Sequence, residues 1–243
     1  MNRLLEEKVA IVTGGGGGLG LAISSALAAD GAKVLVVARS EENCTKVVGK
    51  IRERGGAADS LAADITASDA PAKVVAKAVS RFGRLDILVN CAGVFVWKKI
   101  FDLTQEDWTQ TIATNLTAPF FLTQEAAKAM IEAGRGGAII NLTSIHGSVG
   151  DPNVVAQCAS KFGLEGLTKA AAEALRDYDI RVNAVAPGSI EEDSVERRGG
   201  SPRSKVTQAD IATLVVFLAS DLARSVTGAT VSAFGSTRTV IKA

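Results

Sequence analysis

The sequence predicts an α/β protein in which helices cover both faces of one parallel, doubly wound sheet. Short apolar runs of strand length alternate with segments of helical periodicity along the whole chain, and this alternation is typical of βαβ units. The chain has 243 residues and 47% of them are hydrophobic, so it can build one domain with a large core. We therefore expect a single domain over residues 1–243 without internal repeats.

The first predicted unit consists of a strand, a glycine-rich turn and a helix. Residues 9–12 are an apolar run, five glycines occupy positions 14–18, and leucines and alanines then follow at helical spacing. Glycines allow the backbone to approach a pyrophosphate closely, and a helix start offers N–H groups to an anion. Gly20 would let the helix lie close to the strand. The unit predicts nucleotide binding, and because no Gly-Lys-Ser/Thr follows the glycines, a Walker-type loop is excluded.

A second apolar run over residues 32–38 completes the first βαβ unit, and Arg39 follows it. NAD-binding proteins place an acidic residue near this position, where it accepts hydrogen bonds from the ribose 2′-hydroxyl. An arginine instead pairs with a 2′-phosphate through two hydrogen bonds. We therefore predict NADP(H) in preference to NAD(H). The alternative is that Arg39 is a solvated surface residue.

The remaining elements continue the same alternation. Further strands are predicted at residues 60–63, 85–89, 137–142, 180–186 and 230–233. The other helices are predicted at residues 41–55, 67–82, 105–130, 152–178 and 209–220. Pro119 should disturb the long helix. Asp64 follows the third strand, where it could cap the next helix.

Charge and cysteine content argue against a protein that binds nucleic acid, lies in a membrane or is secreted. The net charge is +1 and the basic residues are scattered, which argues against a nucleic-acid or membrane-surface partner. No apolar run has the length of a membrane span, and the charged N-terminus leads directly into the first strand, unlike a signal peptide. The three cysteines have no metal-ligand spacing and suit a reducing compartment. We expect a cytoplasmic protein without a metal.

The spacing Thr13-Gly14-x-x-x-Gly18-x-Gly20 resembles that of the short-chain dehydrogenase/reductase family. Later segments are also similar to family motifs, namely Asn90-Cys91-Ala92-Gly93, Thr114-Asn115-Leu116, Thr143-Ser144-Ile145-His146-Gly147 and Pro187-Gly188. The resemblance covers almost the whole chain. It implies a Rossmann-type domain with a parallel sheet of seven strands in the order 3-2-1-4-5-6-7.

The resemblance also implies a reaction, hydride transfer between a nicotinamide and a carbonyl or alcohol carbon of a small molecule. In the family a tyrosine moves the hydroxyl proton, a lysine holds the nicotinamide ribose and lowers the pKa of that tyrosine, and a serine bonds the substrate oxygen. An asparagine holds a water for proton relay. The matching catalytic positions are Asn115, Ser144, Gln157 and Lys161. The implied cofactor-binding positions are Thr13, Gly14, Gly18, Leu19, Gly20, Arg39, Asp64, Ile65, Asn90, Ala92, Gly93, Lys161, Pro187, Gly188 and Ile190.

Gln157 departs from the family pattern, because the tyrosine position in Gln157-Cys158-Ala159-Ser160-Lys161 carries a carboxamide. A carboxamide does not ionise near neutral pH, so it can donate a hydrogen bond but cannot complete a proton transfer. General acid–base catalysis is worth about 10²–10⁴ in rate, so we expect slow turnover. Tyr178, the only tyrosine, lies about 30 Å along the same predicted helix and cannot replace the missing group.

His146 is the only histidine and lies two residues beyond Ser144. It could contact the substrate, act as an acid or form part of the pocket wall. A single histidine is a weak signal for catalysis, although imidazoles commonly titrate near neutral pH. We therefore interpret His146 as a substrate or wall residue.

Two other functions remain open at this point, a non-redox lyase or isomerase on the same scaffold and a cofactor-binding pseudoenzyme. Glu192 stands where the family usually has threonine, and the linker-like segment 191–205 is shorter than the usual substrate lid. The resemblance implies a homo-oligomer, a dimer or tetramer formed through two long helices and the last helix–strand pair. The apolar residues 211–218 fit such an interface or burial within one chain.

Overall fold

A parallel sheet of seven strands forms the centre of the computed structural model, which describes residues 3–191 and 206–235. The strands are β1 (Val9–Thr13), β2 (Lys33–Ala38), β3 (Ala57–Ala62), β4 (Ile87–Asn90), β5 (Gly137–Leu142), β6 (Ile180–Pro187), β7 (Ile190–Glu191), β8 (Val206–Thr207) and β9 (Thr230–Ala233). The helices are α1 (Gly18–Ala29), α2 (Glu41–Glu53), α3 (Ala70–Phe82), α4 (Gln105–Ile112), α5 (Ala118–Ala133), α6 (Val155–Ala174) and α7 (Gln208–Ala219).

The strand order is β3-β2-β1-β4-β5-β6-β9, while β7 and β8 pair separately. The prediction of a doubly wound sheet in the order 3-2-1-4-5-6-7 is therefore confirmed, with β9 as the seventh strand. The carboxyl ends of β1 and β4 lie side by side where the order reverses, and Thr13 is in register with Asn90. In open parallel sheets ligands bind at this point.

Each face of the sheet buries its own apolar core. Ala10 and Val12 of β1 pack with α1, α2 and α7, whereas Val9 and Ile11 pack with α3, α5 and α6. Successive side chains of a strand point to opposite faces, so a strand buried on both sides has to be apolar throughout. This is why β1 could be recognised as a continuous apolar run.

The predicted helix over residues 105–130 is divided into three parts. After α4 comes a π-helical turn over Ala113–Thr117, and then α5 continues to Ala133. Pro119 lies in the first turn of α5, directly after a π-helical turn, and because it has no N–H it donates no hydrogen bond back into that turn. The irregularity is the π-helical turn around Asn115, which is fully buried.

Several predicted boundaries also need correction. Helix α6 is shorter than the predicted 152–178 and is followed by a 3-10 turn over Arg176–Tyr178. Helix α3 begins at Ala70 rather than at residue 67, because Asp69 occupies its N-cap position and Pro71 its first turn. Asp64 does not cap this helix, since its carboxylate accepts hydrogen bonds from the N–H and Oγ1 of Thr66 instead.

The apolar segment 211–218 lies in α7 and is largely buried within the chain. Ile211, Val215 and Leu218 have no exposed surface, and α7 packs on α1 and on the sheet. Of the two interpretations of this segment, an oligomer interface and burial within one chain, burial within one chain therefore accounts for its apolar character. Across the described ranges, every helix is too short or too polar to cross a membrane.

Candidate active site

A buried chain of hydrogen bonds fixes α6 against the sheet. Asn90 and Asn141 are in register on β4 and β5, and Asn90 Nδ2 donates to Asn141 Oδ1 at 2.9 Å. Asn141 Nδ2 then donates to Thr168 Oγ1 at 2.9 Å, and that hydroxyl donates to the Leu164 carbonyl at 2.8 Å. Buried polar groups that are paired in this way specify a single arrangement. This series of hydrogen bonds thus positions α6, which carries Gln157 and Lys161.

The glycine-rich turn brings the start of α1 against β1. A Cβ on Gly20 would lie 2.1 Å from the carbonyl oxygen of Gly14, so only glycine fits there. Gly14 has a φ of +68°, in the region that favours glycine. Helix α1 has neither a side-chain cap at Gly17 nor an acidic residue in its first turn. Its N-terminus is therefore suited to an anion.

A cavity of about 450 Å³ extends from this turn along the carboxyl edge of the sheet. The predicted cofactor residues that line it are Gly14, Arg39, Asp64, Ile65, Ala92 and Gly93. Hydrogen bonds from Thr66 hold the pKa of the Asp64 carboxyl below its usual value, and Arg39 adds a smaller electrostatic effect. A glycine wall beside one arginine and one carboxylate fits the phosphates and adenosine of a dinucleotide.

A second cavity, of about 600 Å³, continues from the first, because Gly93 and Val94 line both. The other predicted site residues that line it are Leu19, Ser144, His146, Gln157, Lys161, Pro187, Gly188 and Ile190. A long ligand can thus extend from Arg39 to the side chains of α6. Five predicted residues line neither cavity, namely Thr13, Gly18, Gly20, Asn90 and Asn115.

Thr13 shows how such a residue acts through the backbone. Its Oγ1 accepts hydrogen bonds from the N–H groups of Cys91 and Ala92 at 3.1 and 3.2 Å and donates to the Val89 carbonyl at 3.3 Å. All of its hydrogen-bonding capacity is therefore used within the protein. Thr13 holds the turn after β4, so that Ala92 and Gly93 face the cavity.

Asn115 fixes the orientation of the Gln157 carboxamide. Asn115 Oδ1 accepts the Val94 N–H at 2.9 Å and Nδ2 donates to the Val94 carbonyl at 3.0 Å, so the Asn115 amide has one orientation. Asn115 Nδ2 also donates to Gln157 Oε1 at 2.9 Å. Because Oε1 is an acceptor here, the Nε2 donor is the polar atom of Gln157 that remains for a ligand. Within the described residues this Nε2 has no hydrogen-bond partner.

Lys161 is buried one helical turn after Gln157. Its Nζ donates to the Leu142 carbonyl at 2.7 Å. Burial lowers the pKa of Lys161 to about 8, and the nearby Cys91 opposes this shift slightly. Burial likewise raises the pKa of the Cys91 thiol to about 12. Cys91 therefore stays a neutral thiol at physiological pH and is a poor nucleophile.

The buried lysine should make stability depend on pH. Since the folded-state pKa of about 8 lies below the ordinary value of 10.5, folding penalises the cation below pH 8, and the penalty is relieved as pH rises toward 10.5. We expect Lys161→Met to raise the free energy of unfolding of the ligand-free protein by about 2 kcal/mol at pH 7 and less at pH 10. Urea unfolding at both pH values measures this difference.

The exposed Lys169 lies on the same helix, so Lys169→Met is the control, and its effect should be small at both pH values. A stability difference for Lys161→Met that does not change with pH would contradict the titration of this buried amine.

Ser144 and His146 line the second cavity, and His146 also approaches Asp151, so the three side chains form a short polar series. Ser144 Oγ lies 3.4 Å from His146 Nδ1, and His146 Nε2 lies 3.8 Å from Asp151 Oδ2. The imidazole also packs near Phe95, with ring centroids 6.3 Å apart. His146 therefore lies in the cavity wall between two polar side chains.

Sequence reasoning missed Asp151 and Phe95. Asp151 belongs to the loop before α6, and Phe95 to the loop after β4, so only the fold brings them to His146. No motif in the sequence indicates either contact. Glu192 lies outside the described residues. No group of three or more potential metal ligands occurs in the parts of the chain that the structure describes.

Comparisons with known proteins agree with this architecture. The chain is 38% identical over 239 residues to 3-oxoacyl-[acyl-carrier-protein] reductase FabG of Staphylococcus aureus, covering 94% of this chain and 97% of that protein. It is also 38% identical to L-rhamnose 1-dehydrogenase (NAD(P)(+)) of Azotobacter vinelandii, covering 93% of this chain and 94% of that protein. The crystal structure of acetoin dehydrogenase YohF from Salmonella typhimurium superposes with a TM-score of 0.85 at 33% identity, covering 93% of each chain.

A sequence profile described as short chain dehydrogenase matches residues 8–200. The profile thus spans β1 to the segment after β7, which includes both cavities except Phe234. With these matches along nearly the whole length, the chain belongs to the short-chain dehydrogenase family.

Proposed function

We propose that this protein is an NADP(H)-dependent oxidoreductase of a small carbonyl or alcohol compound with an impaired proton donor. One observation carries the proposal: Ser144, Gln157 and Lys161 line a single cavity that is continuous with the glycine-walled cavity. In this proposal Gln157 occupies the position of the family's catalytic tyrosine. The hydrogen-bonding and cationic groups are thus in place, but the side chain at residue 157 holds no ionisable proton.

The residues present fit a nicotinamide dinucleotide. Gly14 and the N-terminus of α1 would hold the pyrophosphate, Arg39 and Asp64 would face the adenosine part, and Lys161 would hold the nicotinamide ribose. When bound, the nicotinamide supplies or accepts the hydride. The protein residues supply position, exclusion of water and polarisation of the substrate.

Ser144 and Gln157 would bind the substrate oxygen. The hydroxyl of Ser144 and the Nε2 group of Gln157 are both hydrogen-bond donors in the same cavity. Two donors aimed at a carbonyl oxygen stabilise the negative charge that develops as the carbon is reduced. Gln157 contributes to this polarisation, but the proton has to come from another group.

Arg39 should determine the choice of nucleotide. It lines the first cavity and is solvent-exposed at the end of β2, where it could pair with a 2′-phosphate. Replacing Arg39 with alanine should weaken NADPH binding about tenfold, since hydrogen bonds to charged groups are worth about 1.5–3 kcal/mol when well formed. NADH binding should change little. Calorimetric titration of both nucleotides measures the two affinities.

The matched control is Arg54→Ala, which removes another exposed arginine outside the cavity lining. This variant should leave both affinities unchanged. If Arg39→Ala weakens NADH and NADPH binding equally, the proposed preference for NADP(H) is wrong.

The activity itself is tested by following NADPH absorbance with a panel of aldehydes, ketones and keto acids at high enzyme concentration. We expect slow oxidation that depends on one substrate class. Conversion of a substrate without any nicotinamide would favour a lyase or isomerase. Nucleotide binding without turnover on any substrate would favour a pseudoenzyme.

We also propose that the protein forms a homo-oligomer, a dimer or tetramer. The long helices α5 and α6 carry partly exposed phenylalanines at Phe120, Phe121 and Phe162, each more than 40% exposed. Phe120 and Phe121 lie together, with ring centroids 5.0 Å apart, and exposed apolar groups of this kind commonly mark an interface. We expect light scattering after gel filtration to show a dimer or tetramer and Phe162→Glu to shift it toward monomer. A monomeric native protein would contradict the assembly.

A further inference from the structure

We propose that His146 is the proton source for this chain, acting through the hydroxyl of Ser144, with Asp151 holding the imidazole. This inference rests on the proposed oxidoreductase function. It identifies the residue that supplies the proton that Gln157 cannot donate. Ser144 and His146 line the substrate cavity, and Asp151, which no motif indicates, lies behind the imidazole.

The Ser144 end of this series is well defined. Ser144 caps the 3-10 turn that carries His146, and its Oγ accepts the backbone N–H of His146 at 3.2 Å. The same Oγ lies 3.4 Å from His146 Nδ1. Such contacts are often long in ligand-free sites and shorten when the substrate binds. Ser144 can therefore pass a proton from Nδ1 to an oxygen in the cavity.

The Asp151 end orients the ring. Asp151 Oδ1 accepts hydrogen bonds from the N–H and side-chain amide of Asn153 at 2.8 and 3.2 Å, which fixes the carboxylate. Its other oxygen, Oδ2, lies 3.8 Å from His146 Nε2. This oxygen faces Nε2 and can hold the imidazole ring with Nδ1 directed at Ser144. The ring thus has an anion at Nε2 and a hydroxyl at Nδ1.

The other polar side chains of the cavity are less suitable donors. Gln157 has no acidic proton, and the thiol of Cys91 has a pKa of about 12. Lys161 is engaged with the Leu142 carbonyl. His146 and Asp151, by contrast, have 19% and 28% of their side-chain surface exposed. Water can therefore reprotonate the imidazole after each turnover.

The proposed step balances as follows for reduction. The carbonyl carbon accepts a hydride from a reduced nicotinamide nucleotide, and the carbonyl π bond breaks. The oxygen takes the hydroxyl proton of Ser144, Ser144 Oγ takes the Nδ1 proton of the imidazolium, and neutral His146 remains. The substrate is reduced to the alcohol, the nucleotide is oxidised, and a proton from water restores the imidazolium.

The first test needs no turnover, because His146 is the only histidine in the chain. A two-bond 1H–15N correlation spectrum therefore reports a single imidazole. We expect Ser144→Ala to shift the Nδ1 resonance and Asp151→Asn to shift Nε2, while Ser148→Ala, a nearby exposed serine, shifts neither. Asp151→Asn keeps an oxygen for Asn153. Unchanged imidazole resonances in both variants would overturn the relay.

The second test uses kinetics in two backgrounds. His146→Gln should lower kcat of the native chain by about 10²-fold or more with little change in KM. In a Gln157→Tyr background, where tyrosine can donate the proton, His146→Gln should have little effect on kcat.

An unchanged kcat for His146→Gln in the native background would overturn the relay and leave the oxidoreductase function intact. So would activity that is confined to the Gln157→Tyr background. Absence of turnover in the native chain and in Gln157→Tyr alike would instead overturn the proposed function.

Discussion

Replacing Gln157 with tyrosine in a His146→Gln background, where no other group supplies the proton, should raise kcat for carbonyl reduction by about 10²–10⁴-fold, the usual contribution of general acid–base catalysis. The phenol would extend from α6 into the second cavity, which Gln157 lines together with Ser144 and Lys161. The amine of Lys161, one turn later on α6, would stabilise a phenolate and lower the tyrosine pKa. Initial rates of NADPH oxidation with the substrate panel measure the gain.

The matched control is Gln157→Phe, which introduces the same ring without the hydroxyl. Both variants lose the hydrogen bond from Asn115 to Gln157 Oε1, so they differ only in the transferable proton. We expect no gain for phenylalanine. An equal gain in both variants, or none in the tyrosine variant with the nucleotide bound, would contradict the assignment of residue 157.

Replacing Gly20 with alanine should damage both folding and nucleotide binding. The added Cβ would lie 2.1 Å from the carbonyl oxygen and 2.7 Å from the carbonyl carbon of Gly14, and these backbone atoms cannot rotate away. Overpacking of this kind costs about 1–3 kcal/mol, occasionally more. Because α1 and the Gly14 turn must separate, we also expect NADPH affinity to fall more than tenfold, a change of about 1.4 kcal/mol. Urea unfolding and calorimetric titration measure the two effects.

Gly49→Ala is the control for this substitution. Gly49 lies inside α2, and a Cβ there would meet nothing within 4 Å. Alanine is favoured over glycine in helices by about 0.5–1 kcal/mol, so this variant should be more stable than the native protein. A Gly20→Ala variant of native stability and affinity would show that the glycine turn does not require the close approach described here.

The strands were predictable because burial on both faces requires continuous apolar runs. Residues 9–12 and 137–142 were recognised in this way, and the sheet order is as the family resemblance implied. Helix ends were predicted less well, since they depend on local capping. Asp69 and Pro71 start α3, and the π-helical turn at Asn115 depends on hydrogen bonds to Val94 and Gln157, which are distant in sequence.

In the candidate site, the residues that belong to motifs were predictable, whereas the contacts that depend on the fold were not. Motif spacing predicted that Ser144, Gln157 and Lys161 belong to one site. All three line the second cavity. The same spacing could not show that the Thr13 hydroxyl accepts hydrogen bonds from the backbone N–H groups after β4. It also could not show that Asp151 approaches His146, because that contact depends on the conformation of the loop before α6.

Calorimetric titration of NADPH and NADH into the native protein tests the central claim most directly. We predict one nucleotide per chain, bound more tightly as NADPH, even where catalytic turnover is slow. Binding of neither nucleotide, at protein concentrations at which the fold is intact, would contradict the account.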